Sequence, residues 1–322
     1  AVKDCAFVRR GTETGATVVE YHCVVCAKQV PDTKRITAQA MKEDGTVNRA
    51  ALPAIFNPED LNALEMALSI RDAHGGTVTV ISMGPPSAAE VLRESLYRGA
   101  DRVILITDRR AAASDTLATS YILACAIRKL PHDIVLCGRQ AIDGDTAQVG
   151  PQLAEKLGLP QVTYLEELIS LAERTIRVRR NVGNGFEIVE TELPVLLTVM
   201  ETANAPRPPA AKRLMKYKKA RTFGELVAEA AEQMGAEPGD QAVVAAAEER
   251  ARELQARGLL MEQWDLDAIG ADLGWCGRTG SPTKVHRIQS VVLTGGQYRE
   301  FPPTEEGLRE LVMELIEDHT LG

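Results

Sequence analysis

"DIVLCGRQAIDGDTAQVGPQLAEKLG" (residues 133–158) opens on an apolar run, bends through glycine and aspartate, and continues directly as a helix pattern. Its first six residues read as a strand. Outward from it toward the start of the chain, "SDTLATSYILACAIRKL" (114–130) reads as a helix capped by Ser114, "RVILIT" (102–107) as a strand, and "SAAEVLRESLYRGA" (87–100) as a helix. "TVTVISM" (77–83) is again strand-like. "EDLNALEMALSIRDA" (59–73) places Leu61, Leu64, Ala67 and Leu68 on one helical face, and "HCVVCAKQV" (22–30) is a further strand. Strands alternating with helices in this way predict βαβ units and a parallel sheet. In such sheets ligands bind beyond the carboxyl ends of the strands, where the bend after Gly138 falls.

Any helix start leaves several backbone N–H groups unpaired and carries partial positive charge, so a glycine-containing turn leading into one suits a phosphate. Gly144 would free the backbone, and the N–H groups of Thr146 to Val149 would face the anion. Asp143 and Asp145 would repel it, so one of them is expected to cap the helix and the other to face ribose hydroxyls or solvent. An ordinary capped helix after a parallel strand accounts for the same residues, and they leave both readings open.

After Pro160 the pattern changes. "TIRVRRNVGNGFEIVETELPVLLTVM" (175–200) predicts a hairpin turning at Gly183 to Gly185, then one more strand after Pro194. "ANAPRPPAAKRLMKYKKAR" (203–221) is proline-rich and then basic, a surface excursion or linker. Residues 222–257 predict a helical hairpin broken at Pro238-Gly239, with Leu226, Ala230 and Met234 on one stripe and Val244, Ala247, Ala251 and Leu254 on the other. The remainder predicts a turn at 277–283, a strand around 284–293 and a helix from Thr304 to Glu317.

Composition excludes several classes. A formal charge of −8 and an aromatic share of 4% argue against nucleic acid. The basic run Lys212 to Arg221 holds Tyr217 as its one aromatic and reads as a solvated or protein-docking stretch. No apolar stretch approaches the roughly 20 residues that cross a bilayer, and residues 1–20, mixed polar and charged, carry no secretory pattern. Six scattered cysteines suit a reduced, cytoplasmic protein. Cys23 and Cys26 are three apart on a strand and so point to opposite faces, which rules out a shared metal, and the histidines show no ligand spacing. Phosphate-loop and serine-esterase motifs are absent, and a strand follows "VGNGFE" where a dinucleotide fingerprint needs a helix.

"CAKQVPDT" (26–33), "DGTVNRAALPAIFNPEDLNALEMAL" (44–68), "GRQAIDGDTAQVGPQLAEKLGLPQVTY" (138–164), "RLMKYKKA" (213–220) and "GSPTKV" (280–285) together resemble the β subunit of electron transfer flavoproteins, in the family's order. The bend resembles the electron-bifurcating, two-FAD members more than the AMP-binding ones. Gly183 and Asn184 depart from the family's hairpin turn, where an acidic residue and glycine are usual, and Ala211 stands where some relatives carry a recognition leucine. Residues 1–20 and 221–260 have no counterpart in the resemblance.

The resemblance implies an α/β fold: a Rossmann-like, adenine-nucleotide α-hydrolase-like nucleotide-binding domain with a β-hairpin, a helical insertion and a C-terminal extension. The expected division is an extension (1–20), the nucleotide domain (21–203), a partner-docking segment (204–221), the insertion (222–260) and an arm packing on an α subunit (261–322). It further implies a heterodimer in which this chain binds FAD, or alternatively a structural AMP, with no catalytic set of its own. In the FAD form NADH is the donor, approaching near 43–48. The acceptors are a ferredoxin or flavodoxin and, through the α-subunit FAD, an acyl-CoA dehydrogenase or other flavin or iron–sulfur dehydrogenase.

Carried over by motif, the binding positions are Cys26, Ala27, Asn57, Pro58, Glu59, Asp60 and Met83, followed by Gly138, Arg139, Gln140, Ala141, Asp143, Gly144, Asp145, Thr146, Ala147, Gln148, Val149, Gly150 and Pro151. Within that set, Arg139 is expected to meet the phosphates or the anionic edge of a flavin.

Overall fold

The computed structural model describes residues 19–32, 52–283 and 300–317. The expected extension (but for residues 19 and 20), the 43–48 loop and the strand at 284–293 lie outside the described residues. Short apolar runs bounded by glycine, proline or aspartate form the strands β1 (Tyr21–Cys26), β2 (Gln29–Pro31), β3 (Ala54–Phe56), β4 (Gly76–Met83), β5 (Arg102–Ile106) and β6 (Ile134–Gly138). Between and after them lie α1 (Pro58–His74), α2 (Ala89–Arg98), α3 (Thr116–Ile127) and α4 (Val149–Leu157). The chain continues through β7 (Gln161–Ala172), β8 (Thr175–Asn181), β9 (Phe186–Glu192) and β10 (Val195–Val199) to α5 (Ala211–Tyr217), α6 (Phe223–Met234) and α7 (Gln241–Ala256). It ends in β11 (Glu262–Trp264), α8 (Gly277–Gly280) and α9 (Glu305–Glu317).

One nine-stranded sheet has the order β11-β5-β4-β1-β6-β10-β7-β8-β9. From β11 to β7 neighbouring strands run parallel, and β8 and β9 extend the sheet antiparallel. β6 and β10 are buried at every residue, as strands covered on both faces must be. Cys23, Val25, Val80 and Leu136 face one apolar cluster with Leu64 and Leu68 of α1 and Leu92 of α2. Val24, Cys26, Ile81, Val135 and Cys137 face the other, with Ile122 and Ile127 of α3 and Leu153 of α4. Cys23 and Cys26 thus lie on opposite faces, as their spacing requires.

This arrangement is doubly wound. From β1 the chain winds outward through β4 and β5 with α1 and α2 on one face; α3 then crosses to the other face and returns it to β6 on the far side of β1. The winding reverses between β1 and β6, and there the strand ends leave a crevice.

Several details differ from expectation. Asp115, not Ser114, caps α3, accepting from the Ala118 N–H at 2.9 Å; the Ser114 hydroxyl donates to Ala111 O and accepts from the Gly277 N–H. Residues 277–280 are a short helix within the expected turn. The hairpin of α6 and α7 forms, but Val243 rather than Val244 joins Ala247, Ala251 and Leu254 inside, and Met234 is exposed. Thr222 and Glu225 close a capping box at the start of α6, and Arg93 of α2 reaches across to Glu225 at 2.8 Å. Among the described residues no helix is long and apolar enough to cross a membrane.

Candidate functional site

The first turn of α1 braces the crevice. Pro58 occupies its first position, where the missing N–H is no loss. Asn57, fully buried, donates from Nδ2 to Gln140 O at 2.9 Å and accepts from the Ile142 N–H at 3.2 Å. Glu59 accepts from the Gln140 N–H at 2.8 Å and pairs with Arg139 at 2.8 Å. Asp60 accepts the N–H of Lys28 and of Gly138, each at 2.9 Å. Three side chains from four consecutive residues therefore hold the end of β1, the end of β6 and the bend in one arrangement.

Gly138 is required by that closeness: a Cβ there would lie 2.6 Å from Asp60 Oδ1 and 2.8 Å from the Glu59 carbonyl carbon. Burial pushes the Asp60 carboxyl up to about 7, against the lowering effect of the Gly138 and Lys28 N–H groups, the Asn57 side chain and the Lys28 charge. The Cys26 and Cys137 thiols are likewise raised, first by burial, which keeps them protonated and unreactive.

A cavity of about 970 Å³ opens beyond the strand ends. Its wall includes Cys26, Ala27, Asp60 and Met83, then Gly138 to Ala141, and Gly144 to Gly150. Asn57, Pro58, Glu59, Asp143 and Pro151 are not on it. Asn57 and Glu59 act through the bend, and Asp143 accepts from Lys28 Nζ at 2.7 Å. Arg139 is on the wall with its guanidinium held by Glu59.

Neither aspartate of the bend caps α4. Asp145 accepts from Gln140 Nε2 at 3.0 Å, and Gln148, at the cap position, makes no capping bond and instead receives the Thr116 hydroxyl at 2.9 Å. The helix start is left with N–H groups that no side chain of its cap satisfies, and its first residues, Val149 and Gly150, stand on the cavity wall. The left-handed backbone of the bend belongs to Asp145 (φ 50°) and Ala147 (φ 51°), not to Gly144. With Ala113 (φ 58°) they put three non-glycine residues on one wall in a conformation that costs about 1–3 kcal/mol each.

The far side of the wall, Ile106 to Arg109 and Ala111 to Thr116 with Thr283, is not in the expected set. A signal for most of it existed: the strand at 102–107 ends at the same edge as the others, so the residues after it face the same crevice.

The electron transfer flavoprotein domain matches residues 44–249. This chain belongs to that family. The electron transfer flavoprotein subunit beta of Clostridium acetobutylicum is 40% identical over 296 residues, covering 92% of this chain and 98% of that protein. Protein FixA of Sinorhizobium fredii is 39% identical over 303 residues, 92% of each chain. The caffeyl-CoA reductase-Etf complex subunit CarD of Acetobacterium woodii is 50% identical over 186 residues, 57% of this chain and 70% of that protein. The chain is thus an electron transfer flavoprotein of the β-subunit kind, a class that implies an α-subunit partner.

Proposed function

We propose that the cavity binds FAD and that the chain serves as the β subunit of a bifurcating electron transfer flavoprotein. The observation that carries this reading is the cavity's breadth. Its wall takes residues from the ends of β5, β4, β1 and β6, four neighbouring strands spanning roughly 14 Å at about 4.8 Å per step. A mononucleotide seated at the start of α4 leaves the β5 side unfilled, whereas a dinucleotide uses both. The volume also stands near the upper end of the range of about 300–1,000 Å³ found for ligand pockets.

The donor set suits such a molecule. The α4 start offers unsatisfied N–H groups for a phosphate, Met83, Ile106 and Leu123 offer apolar surface, and the bracket from Asn57 to Asp60 fixes the bend before any ligand arrives. Bound there, the flavin would accept hydride from NADH and send electrons singly to a ferredoxin or flavodoxin and, by way of the α-subunit FAD, to a dehydrogenase. The likeness to the Acetobacterium relative, a subunit of a caffeyl-CoA reductase-Etf complex, supports a CoA-thioester dehydrogenase or reductase as partner. α5, with Leu214 and Met215 exposed among lysines, is our candidate for docking it. Five free, buried cysteines among the described residues are in keeping with the cytoplasm.

The test is to co-purify the chain with its α subunit, denature the complex and quantify released FAD and AMP. Two FAD and no AMP per heterodimer is the expected result. One FAD and one AMP would reduce this chain to a scaffold with a structural nucleotide and overturn the reading.

A further inference from the structure

Among the described residues, three cations stand on the cavity wall: Lys28, Arg139 and Arg109. Two are already neutralised, Lys28 by Asp143 at 2.7 Å and Arg139 by Glu59 at 2.8 Å. Arg109, exposed on the turn after β5, has no ion pair and no side-chain hydrogen bond to any described residue.

The surrounding carboxylates are each engaged elsewhere. Asp108, next to it in sequence, turns to Arg110 at 2.6 Å and to the Leu266 N–H at 3.3 Å. Asp115 accepts from the N–H groups of Ala118 and Thr283, both at 2.9 Å. Asp60 is occupied by the ends of β1 and β6, and Asp145 by Gln140. The tandem Arg109-Arg110 has thus divided its labour: Arg110 also reaches Asp267 at 2.7 Å and anchors the segment after β11, while its neighbour keeps its charge for the cavity.

The turn bearing Arg109 leads into α3, whose first residue, Thr116, is hydrogen-bonded to Gln148 at the start of α4. The guanidinium and the unsatisfied N–H groups of α4 therefore border the same space from adjacent elements. A helix start is matched to one phosphate. A planar guanidinium pairs with a further phosphate through two parallel N–H bonds.

We propose that Arg109 is the specificity residue for a diphosphate-linked nucleotide. The α4 start takes one phosphoryl group and Arg109 the second, so that ADP-containing ligands such as FAD are selected over AMP. The inference rests on the reading of the cavity as a nucleotide site.

The test titrates the purified full-length chain with AMP, ADP and FAD by calorimetry, comparing wild type with Arg109→Gln and Arg109→Lys. ADP serves as the probe because it adds one phosphate to AMP and nothing else. Arg109→Gln is expected to weaken ADP and FAD by about 10- to 100-fold, the loss of one charge-assisted contact, and to leave AMP within about twofold. Arg109→Lys should recover part of the loss, since it restores the charge without the paired geometry. The dependence of ADP affinity on salt should also be shallower in Arg109→Gln. Equal losses for AMP and ADP, or no loss for either, would overturn the proposal, as would a wild type that binds AMP but neither ADP nor FAD. A wild type that binds none of the three overturns the nucleotide reading itself, so the two failures are distinct. Circular dichroism of each variant identifies misfolding, and Arg109→Lys, with its similar length and charge, keeps the test decisive if Arg109→Gln is unstable.

Discussion

Gly150 offers the sharpest test of how α4 is seated. A Cβ at this position would lie 2.7 Å from Thr198 Cγ2 and 3.0 Å from Cys137 Sγ, against the about 3.5–4.0 Å of ordinary carbon contacts. Thr198 cannot simply rotate away, because it is buried in β10 and its Oγ1 accepts from the Tyr164 N–H at 3.1 Å. Gly150→Ala should therefore lift the start of α4 from the sheet. Overpacking of this kind costs about 1–3 kcal/mol, and the gain from replacing a helical glycine offsets about 0.5–1 kcal/mol. A net loss of up to about 2.5 kcal/mol is expected.

The rescue follows from the same contact. Thr198→Ser removes Cγ2 but keeps Oγ1, and alone should cost about 0.8 kcal/mol, the value of one buried methyl group. In the double variant the new methyl occupies the space of the old one, so the two losses should fall short of additivity by about 1 kcal/mol or more. Urea midpoints of the four proteins at constant slope measure this directly. Nucleotide retained per chain should fall in Gly150→Ala and return in the double variant, since the moving element carries the candidate phosphate cradle. Additive losses within about 0.5 kcal/mol would show that the helix does not rest on Thr198 and would refute the reasoning.

Asn57→Ala removes both bonds to the bend, at Gln140 O and Ile142 N. It should cost about 1–3 kcal/mol in urea unfolding and lower nucleotide retention without altering the sheet's circular dichroism. Asp60, raised to about 7 in the fold from an ordinary 3.8, holds a proton there that the unfolded chain releases earlier. Its contribution to stability is complete below about pH 4 and is lost as pH rises through about 7; thermal scans across that window should show this slope, and Asp60→Asn should flatten it. Arg93, nearly buried and bonded to Glu90, Glu225 and Ala220 O, ties the α6–α7 hairpin to α2. Arg93→Ala should cost about 1–3 kcal/mol, the loss of charge-assisted bonds to partly exposed partners, and expose the 235–240 turn to limited proteolysis; an unchanged cleavage pattern would show that the apolar contacts suffice.

The central sheet was legible because β4, β5 and β6 are short apolar runs each followed by a helix of different period, whereas the single strand expected over 22–30 breaks after Cys26 into β1 and β2, the latter pairing with β3 in a separate two-stranded sheet. The bend's place on the cavity wall was legible for the same reason, since it follows a strand end. Its internal geometry was not: only the folded chain decides that Asp143 goes to Lys28 and Asp145 to Gln140. The choice between Ser114 and Asp115 as cap turned on the neighbouring 277–283 segment, which contacts both residues from more than 160 positions away in sequence. β11 is three residues long and has no periodicity of its own; its pairing with β5 is set by the ion pair between Arg102 and Glu262 and by the strand edge it covers. The capping box at Thr222 and Glu225, by contrast, was written plainly in the spacing of those two residues and went unread.

The Thr283 N–H bonded to Asp115, 168 positions earlier, sets a timetable for synthesis. As the chain emerges from the ribosome, β1 through β10 can gather once residue 199 is out, since their pairings and the seat of α4 on Thr198 all lie before residue 200. The wall that Thr283 completes must wait until most of the polypeptide has been made. A nascent chain thus passes through a stage in which the candidate phosphate cradle exists and its enclosure does not, and a ligand that arrives then meets an open cleft.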